Sequence, residues 1–184
     1  MPRQTREEML AELRAVALRT FVVKGYEGAS LAEIAQVVGY SKGALLYHFG
    51  SKERLLAEIL APASANVEAL VRELSALPRK QRRERAVPAL TELAMRDRME
   101  VACYSRLAEE LPDDPAVRRM TASAVAIRAL IIDDDAPLSE VVRVQFALVG
   151  LFQTPVRLMD VSADDLRGPL QESFRAALAD VAPL

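Results

Sequence analysis

Leu10, Leu13, Ala17 and Phe21 recur at three- and four-residue intervals along a segment whose intervening positions are largely polar. That period predicts an amphipathic helix from about Thr5 to Lys24, and Gly25 supplies its stop because glycine alone enters the left-handed region without steric cost. After a short loop at Tyr26 to Ala29, the stretch Ser30-Leu31-Ala32-Glu33 has the form of a capping box, in which hydroxyl and carboxylate satisfy orphan helix amides. A second helix of about two turns therefore starts there and ends at Gly39. Ser41 caps a third helix, Lys42 to Phe49, with Leu45 and Phe49 facing inward and Lys42, Gly43, Tyr47 and His48 left outward. Gly50-Ser51 breaks the chain and caps a fourth helix, from Lys52 to about Leu77, in which Pro62 removes a backbone donor and should introduce a bend.

Downstream, the same helical period is interrupted by proline and aspartate. The basic run Arg79 to Arg85 reads as a solvated loop and the start of helix five, and one helical stretch spans Val87 to Leu111. Asp114-Pro115 is an N-cap followed by the favoured first-turn proline, and opens a helix running to about Ile132. Asp133-Asp134-Asp135 closes it as a charged loop rather than a hard-metal site, because no further oxygen ligands recur at loop-like spacing. An apolar helix spans Leu138 to about Met159, and Ser162 caps a last segment whose main body is Pro169 to Val181. Strand signals are nearly absent, so the fold class expected is all-α.

Composition narrows the picture. In 184 residues, 51% hydrophobic and 27% charged, there is material for one substantial core or two small ones. No stretch reaches the roughly 18 apolar residues that a membrane span requires, and a single cysteine, Cys103, excludes an intrachain disulfide and a multi-cysteine zinc site. A cytoplasmic protein with no membrane association, no metal and no cofactor is expected. The net charge of -2 argues against a nucleic-acid ligand until it is divided: residues 1–55 carry 8 Lys/Arg and 6 Asp/Glu, a net +2, and the rest carries -4.

A supporting helix, a glycine-containing turn and a short helix with a small, polar N-terminus form the arrangement that lets one helix enter a DNA major groove. The residues that fill it are specific. Gly25-Tyr26, Ser30-Leu31 with Ile34-Ala35, Gly39 with Ser41-Lys42-Gly43 and Leu45, then His48-Phe49, Ser51-Lys52-Glu53 and Leu55 resemble the DNA-binding domain of the tetracycline-repressor family over about residues 9–55. The resemblance implies a homeodomain-like three-helix helix-turn-helix domain over 1–51, with the helix-turn-helix at about 30–49. A helical ligand-binding and dimerisation domain would occupy 52–184, with helix four, 52–77, linking the two.

It further implies a homodimeric transcription regulator, a repressor released from double-stranded operator DNA by a small-molecule effector. Position by position, Ser30 would anchor a phosphate, Lys42 and Gly43 would reach base edges, and Ala44 would touch a thymine methyl. Tyr47 and His48 would meet backbone or base, and Lys52 a phosphate. Ser41 completes the cap. Leu46, Ala29 and Tyr40 stand where the family most often has tyrosine, threonine and valine respectively, so one aromatic phosphate contact is either lost or moved to Tyr40 or Tyr47. Arg3 and Arg6 could follow the minor groove as an arm.

In the second domain Met95, Met99, Tyr104, Met120, Phe146 and Phe152 lie on apolar faces suited to core or to an irregular pocket, where Arg106, Gln153 and Arg157 could orient a ligand. By resemblance the dimer surface comes from the last two helices, where Val142, Phe146, Val149, Leu170, Phe174 and Leu178 serve equally well as core. Two other readings stand beside this one. An enzyme is disfavoured because the one histidine and the clearest lysines fall in the helix-turn-helix, leaving no nucleophile and base elsewhere. The alternative is a DNA-binding regulator without an effector that uses its C-terminal domain for protein contacts.

Overall fold

The computed structural model describes residues 6–179, which form nine α-helices and no strand among the described residues. In order these are α1 (Arg6–Gly28), α2 (Leu31–Val37), α3 (Lys42–Phe49), α4 (Lys52–Ser75), α5 (Arg79–Arg96), α6 (Arg98–Glu110), α7 (Pro115–Ala129), α8 (Leu138–Arg157) and α9 (Ala163–Ala177). They gather into two compact units, residues 6–62 with 102–118, and residues 63–101 with 119–179. The fold is an N-terminal helix-turn-helix with a C-terminal helical domain.

In the first unit, Leu13, Ala17 and Phe21 of α1 are buried with Ile34 of α2, Leu45 and Phe49 of α3, and Leu55 and Leu56 of α4. Gly25, at φ 74 and ψ 178, breaks α1, but the chain takes another helical turn through Gly28 where the pattern predicts a loop. Arg14 Nη2 donates to Glu58 Oε2 at 2.8 Å and ties α1 to α4. These contacts prop α3 from behind.

The second unit is built around α5, α8 and α9, with Leu90, Ile131, Val144, Leu151, Leu170 and Phe174 in one apolar cluster. Leu170, Phe174 and Leu178 therefore belong to the core of their own chain, whereas Val142, Phe146 and Val149 on α8 face outward. Two helix boundaries differ from expectation. The run from Arg79 starts helix five as expected but contains no loop: all of it forms the first turns of α5, started by Pro78, whose carbonyl accepts from Gln81 N at 2.9 Å and Arg82 N at 3.0 Å. Arg82 Nη2 turns back to the Ser75 and Leu77 carbonyls, satisfying acceptors at the end of α4. The single helix expected over Val87 to Leu111 is two, divided at Asp97, whose buried carboxylate accepts from Asn66 Nδ2 and from Arg96.

Candidate nucleic-acid interface

Each end of the helix-turn-helix is closed by local chemistry. Ser30 Oγ accepts from Glu33 N at 3.1 Å, and the Glu33 carboxylate is engaged by Lys24 Nζ. At the other end of α2, Gly39 at φ 75 lets its own amide reach Gln36 O and the Tyr40 amide reach Ala35 O at 2.8 Å, which is a Schellman stop. Ser41 Oγ then accepts from Ala44 N at 3.2 Å to open α3, and Gly50, at φ 77, closes it. The turn that sets the angle between α2 and α3 is thus specified by three residues, Gly39, Tyr40 and Ser41.

Between these caps α3 buries Leu45 and Phe49 and presents the rest. Lys42 and Gly43 are exposed, Ala44 and His48 half-buried, and Tyr47 is 85% exposed. The Tyr47 and His48 rings meet edge to face at 5.4 Å. Ser30 and Ser41 are exposed, and Tyr40 half-buried, at the ends of the α2–α3 turn. Among the described residues Lys42 has no ion-pair partner, which leaves its ammonium available to an anion. Lys52 is placed differently: its ammonium sits 4.2 Å from the centre of the Tyr26 ring, a cation–π contact that holds it at the start of α4. Arg3 lies outside the described residues.

The motif carries Gly25-Tyr26 and Lys52-Glu53 without assigning a role to Tyr26 or Glu53, and the geometry supplies one. The Tyr26 ring stacks on Phe21 at 5.7 Å, its hydroxyl donates to Glu53 Oε1 at 2.9 Å, and its amide donates to Glu110 Oε2 at 2.9 Å. Burial, and then the neighbouring Glu53 carboxylate, push the phenol well above its ordinary value, so it stays a donor at any physiological pH. Glu53 is held below the usual carboxylate range by Ser51, its own amide and Tyr26, and keeps its charge. Tyr26 is thus the post on which Lys52 is positioned. Only its place in a matched motif marks it; Glu110, 84 residues away, has no local signal at all.

Backbone conformation, and then Glu110, explain why position 25 is glycine. A Cβ there would stand 2.7 Å from Glu110 Oε1 and 3.0 Å from Arg106 Nε, in a backbone region that is essentially reserved for glycine. Gly25→Ala is expected to cost about 1–3 kcal/mol of stability from backbone strain, and urea unfolding measures it. Most of that cost should persist in a Glu110→Ala background, because the strain does not depend on the carboxylate.

The residues suggested for a ligand fall in both units. Tyr104, half-buried, and Arg106, exposed and 3.6 Å from Glu110, belong to the first unit. In the second unit, Met95 and Met120 are buried, Met99, Phe152 and Gln153 half-buried, and Phe146 and Arg157 exposed. Met120 Sδ accepts from Ser64 Oγ at 3.2 Å. Among the described residues no cluster of acidic, histidine or cysteine side chains could hold a metal ion.

Comparison with known proteins agrees with the geometry. Residues 13–59 match the family model for bacterial regulatory proteins of the tetR family. The HTH-type transcriptional repressor AcnR of Corynebacterium glutamicum is 35% identical over 72 residues, 39% of this chain and 36% of that protein. The HTH-type transcriptional regulator AcrR of Shigella flexneri is 35% identical over 74 residues, 40% and 34% of the two chains. The matched stretch thus spans about a third of the length of these curated relatives. Over nearly the whole chain the fold is similar to that of the ketosteroid transcriptional regulator KstR2 of Mycobacterium tuberculosis, with TM-score 0.72, 19% identity and coverage of 96% of this chain and 95% of that one. With a matched helix-turn-helix, repressor relatives across it and a similar fold beyond it, residues 13–59 form a helix-turn-helix domain of the kind found in bacterial regulatory proteins of the tetR family.

Proposed function

We propose that the chain is a DNA-binding transcription regulator: a homodimer that represses by occupying double-stranded operator DNA and leaves it when a small molecule binds. Residues 1–51 supply DNA binding, 52–184 supply the effector site and the dimer contact, and the protein works in the cytoplasm beside its operator. One observation carries the reading. A capped eight-residue helix presents Lys42, Gly43 and Tyr47 outward while Leu45 and Phe49 anchor it, inside the stretch that matches the family.

The chemistry follows from that surface. Ser30 and the amides opening α2, with Lys52 opening α4, suit phosphates, since helix N-termini and cations both neutralise them. Small residues at 43 and 44 let the backbone come close, so that Lys42, Tyr47 and His48 reach base edges or the sugar-phosphate chain. Two α3 helices held by a dimer would read half-sites one turn, about 34 Å, apart, and an effector acts by changing their separation. Support for the dimer is the outward apolar face of α8, from Leu138 through Val142 and Phe146 to Val149. Support for the effector is resemblance to the family, together with methionines in the interior of the second unit.

The test is binding to the DNA upstream of the chain's own coding region, measured by fluorescence anisotropy. Lys42→Ala and Tyr47→Ala should each weaken binding by about 1–3 kcal/mol, with unchanged thermal unfolding because both side chains are exposed. Unchanged affinity for both variants would remove α3 from the interface.

A further inference from the structure

The outward surface of α3 carries little hydrogen-bonding capacity. Beyond Lys42, the residues not fully buried before His48 are Gly43, Ala44, Leu46 and Tyr47, and only the tyrosine among them has a polar side-chain group. Leu46 is 39% exposed on a helix whose other large apolar side chains, Leu45 and Phe49, are fully inside. A helix that read bases through hydrogen bonds would place amides, guanidiniums or carboxylates here, because base edges in the major groove are donors and acceptors. The groove presents one apolar feature, the C5-methyl of thymine.

Helix geometry puts Leu46 where it can meet that methyl. Residues three and four apart share a face, so Leu46 lies one turn beyond Lys42 and Gly43 on the same flank of α3. Gly43, with no side chain, and Ala44, with a single methyl, hold the helix axis near whatever it docks against. The leucine then extends past them, next to Tyr47, which is 85% exposed. Its own chain leaves more than a third of it open to solvent.

We propose that Leu46 reads a thymine methyl in each operator half-site, which makes it a specificity-determining residue of α3. This rests on the regulator reading above, and it means that discrimination at this position is apolar: the methyl is covered by the leucine and water is released from both. Loss of one buried methyl costs about fourfold in affinity.

The probe is a duplex that the full-length chain itself enriches from a random-sequence pool. Each thymine of that duplex is replaced singly by uracil, which removes the methyl and keeps every hydrogen-bonding group. The expected result is one position per half-site at which uracil weakens the wild-type protein about fourfold, and at which Leu46→Ala binds thymine and uracil duplexes equally. Leu46→Met, which keeps an apolar reach, should retain the preference. An enriched duplex whose uracil substitutions are all neutral for wild type, or one whose every uracil penalty persists unchanged in Leu46→Ala, overturns the proposal and leaves the regulator reading standing. Enrichment of no duplex overturns both.

Discussion

Replacing Phe21 by alanine is expected to destabilise the N-terminal unit by about 3–5 kcal/mol, the cost of emptying a large buried aromatic site. Phe21 is fully buried on α1, and its ring stacks on Tyr26 with planes 23° apart. The cavity therefore opens beneath the residue that holds Lys52 from below and accepts the help of Glu53 and Glu110. Loss of the ring pair adds about 0.5–1.5 kcal/mol beyond the area term. Domains of this size have roughly 5–15 kcal/mol to lose, so the helix-turn-helix should become partly unfolded at moderate temperature. Urea unfolding followed by circular dichroism should show an early transition, with a later one from the separate apolar cluster of the second unit. Phe21→Leu keeps most of the volume and should cost much less. A single unshifted transition for Phe21→Ala would mean that Phe21 does not support the unit.

This variant is the counterpart of Tyr47→Ala. Both should reduce DNA binding, but the first does so through the fold and the second through the surface. The two are separated by measuring unfolding and binding on the same samples: a stability loss accompanies only Phe21→Ala. The contrast follows from burial alone, since one ring is enclosed and the other is almost free.

How much of this was legible before the coordinates depends on the range of the interactions concerned. The bounds of α3 could be read from Ser41 and Gly50 because a helix of eight residues is decided by its caps, and both caps are local. The same holds for Ser30, for Asp114, whose carboxylate accepts from Ala116 N at 2.8 Å, and for Ser162, which accepts from Asp165 N. The division between α5 and α6 was not legible, since Arg96-Asp97-Arg98 contains no glycine or proline and the apolar period runs through it. Asp97 is held there by Asn66, 31 residues earlier in the chain. The start of α5 was hidden for a different reason: a run of basic residues has no apolar period, and Pro78 alone marks the turn.

The candidate site divides in the same way. Outward positions on α3 follow from the inward ones, so Lys42, Gly43 and Tyr47 could be named from Leu45 and Phe49. The residues behind them could not, because Tyr26 acquires its role from Glu53 and Glu110, at separations of 27 and 84 residues. Leu46 shows the limit from the other side. Resemblance marks it as a departure from tyrosine, and only its exposure beside Gly43 and Ala44 suggests what the leucine does instead.

Phe146→Arg is expected to turn the proposed dimer into a folded monomer. Along α8, Leu138, Val142, Phe146 and Val149 recur at four- and three-residue spacing, with Leu138 76% and Phe146 78% exposed. A groove beside them is lined by Gly150 of α8 and Pro169 and Ser173 of α9. Water-facing phenylalanine and leucine on one stripe leave apolar surface that a second copy of the same stripe would cover. In a two-fold pair every contact occurs twice. Loss of a buried aromatic anchor typically costs at least about 2 kcal/mol, so the pair of arginines should weaken association by roughly a thousandfold, before counting the repulsion between them. Light scattering should report twice the chain mass for the wild type at micromolar concentration and the chain mass for Phe146→Arg, with unchanged thermal unfolding of the monomer because the side chain is not in its core. Phe174→Ala is the control from the buried side: it should lower stability, as Phe174 fills the second unit's own interior. DNA affinity should fall with the dimer, since a lone α3 engages one half-site. A monomeric wild type, or a dimer that tolerates arginine at 146, would exclude this face of α8 as the contact between copies.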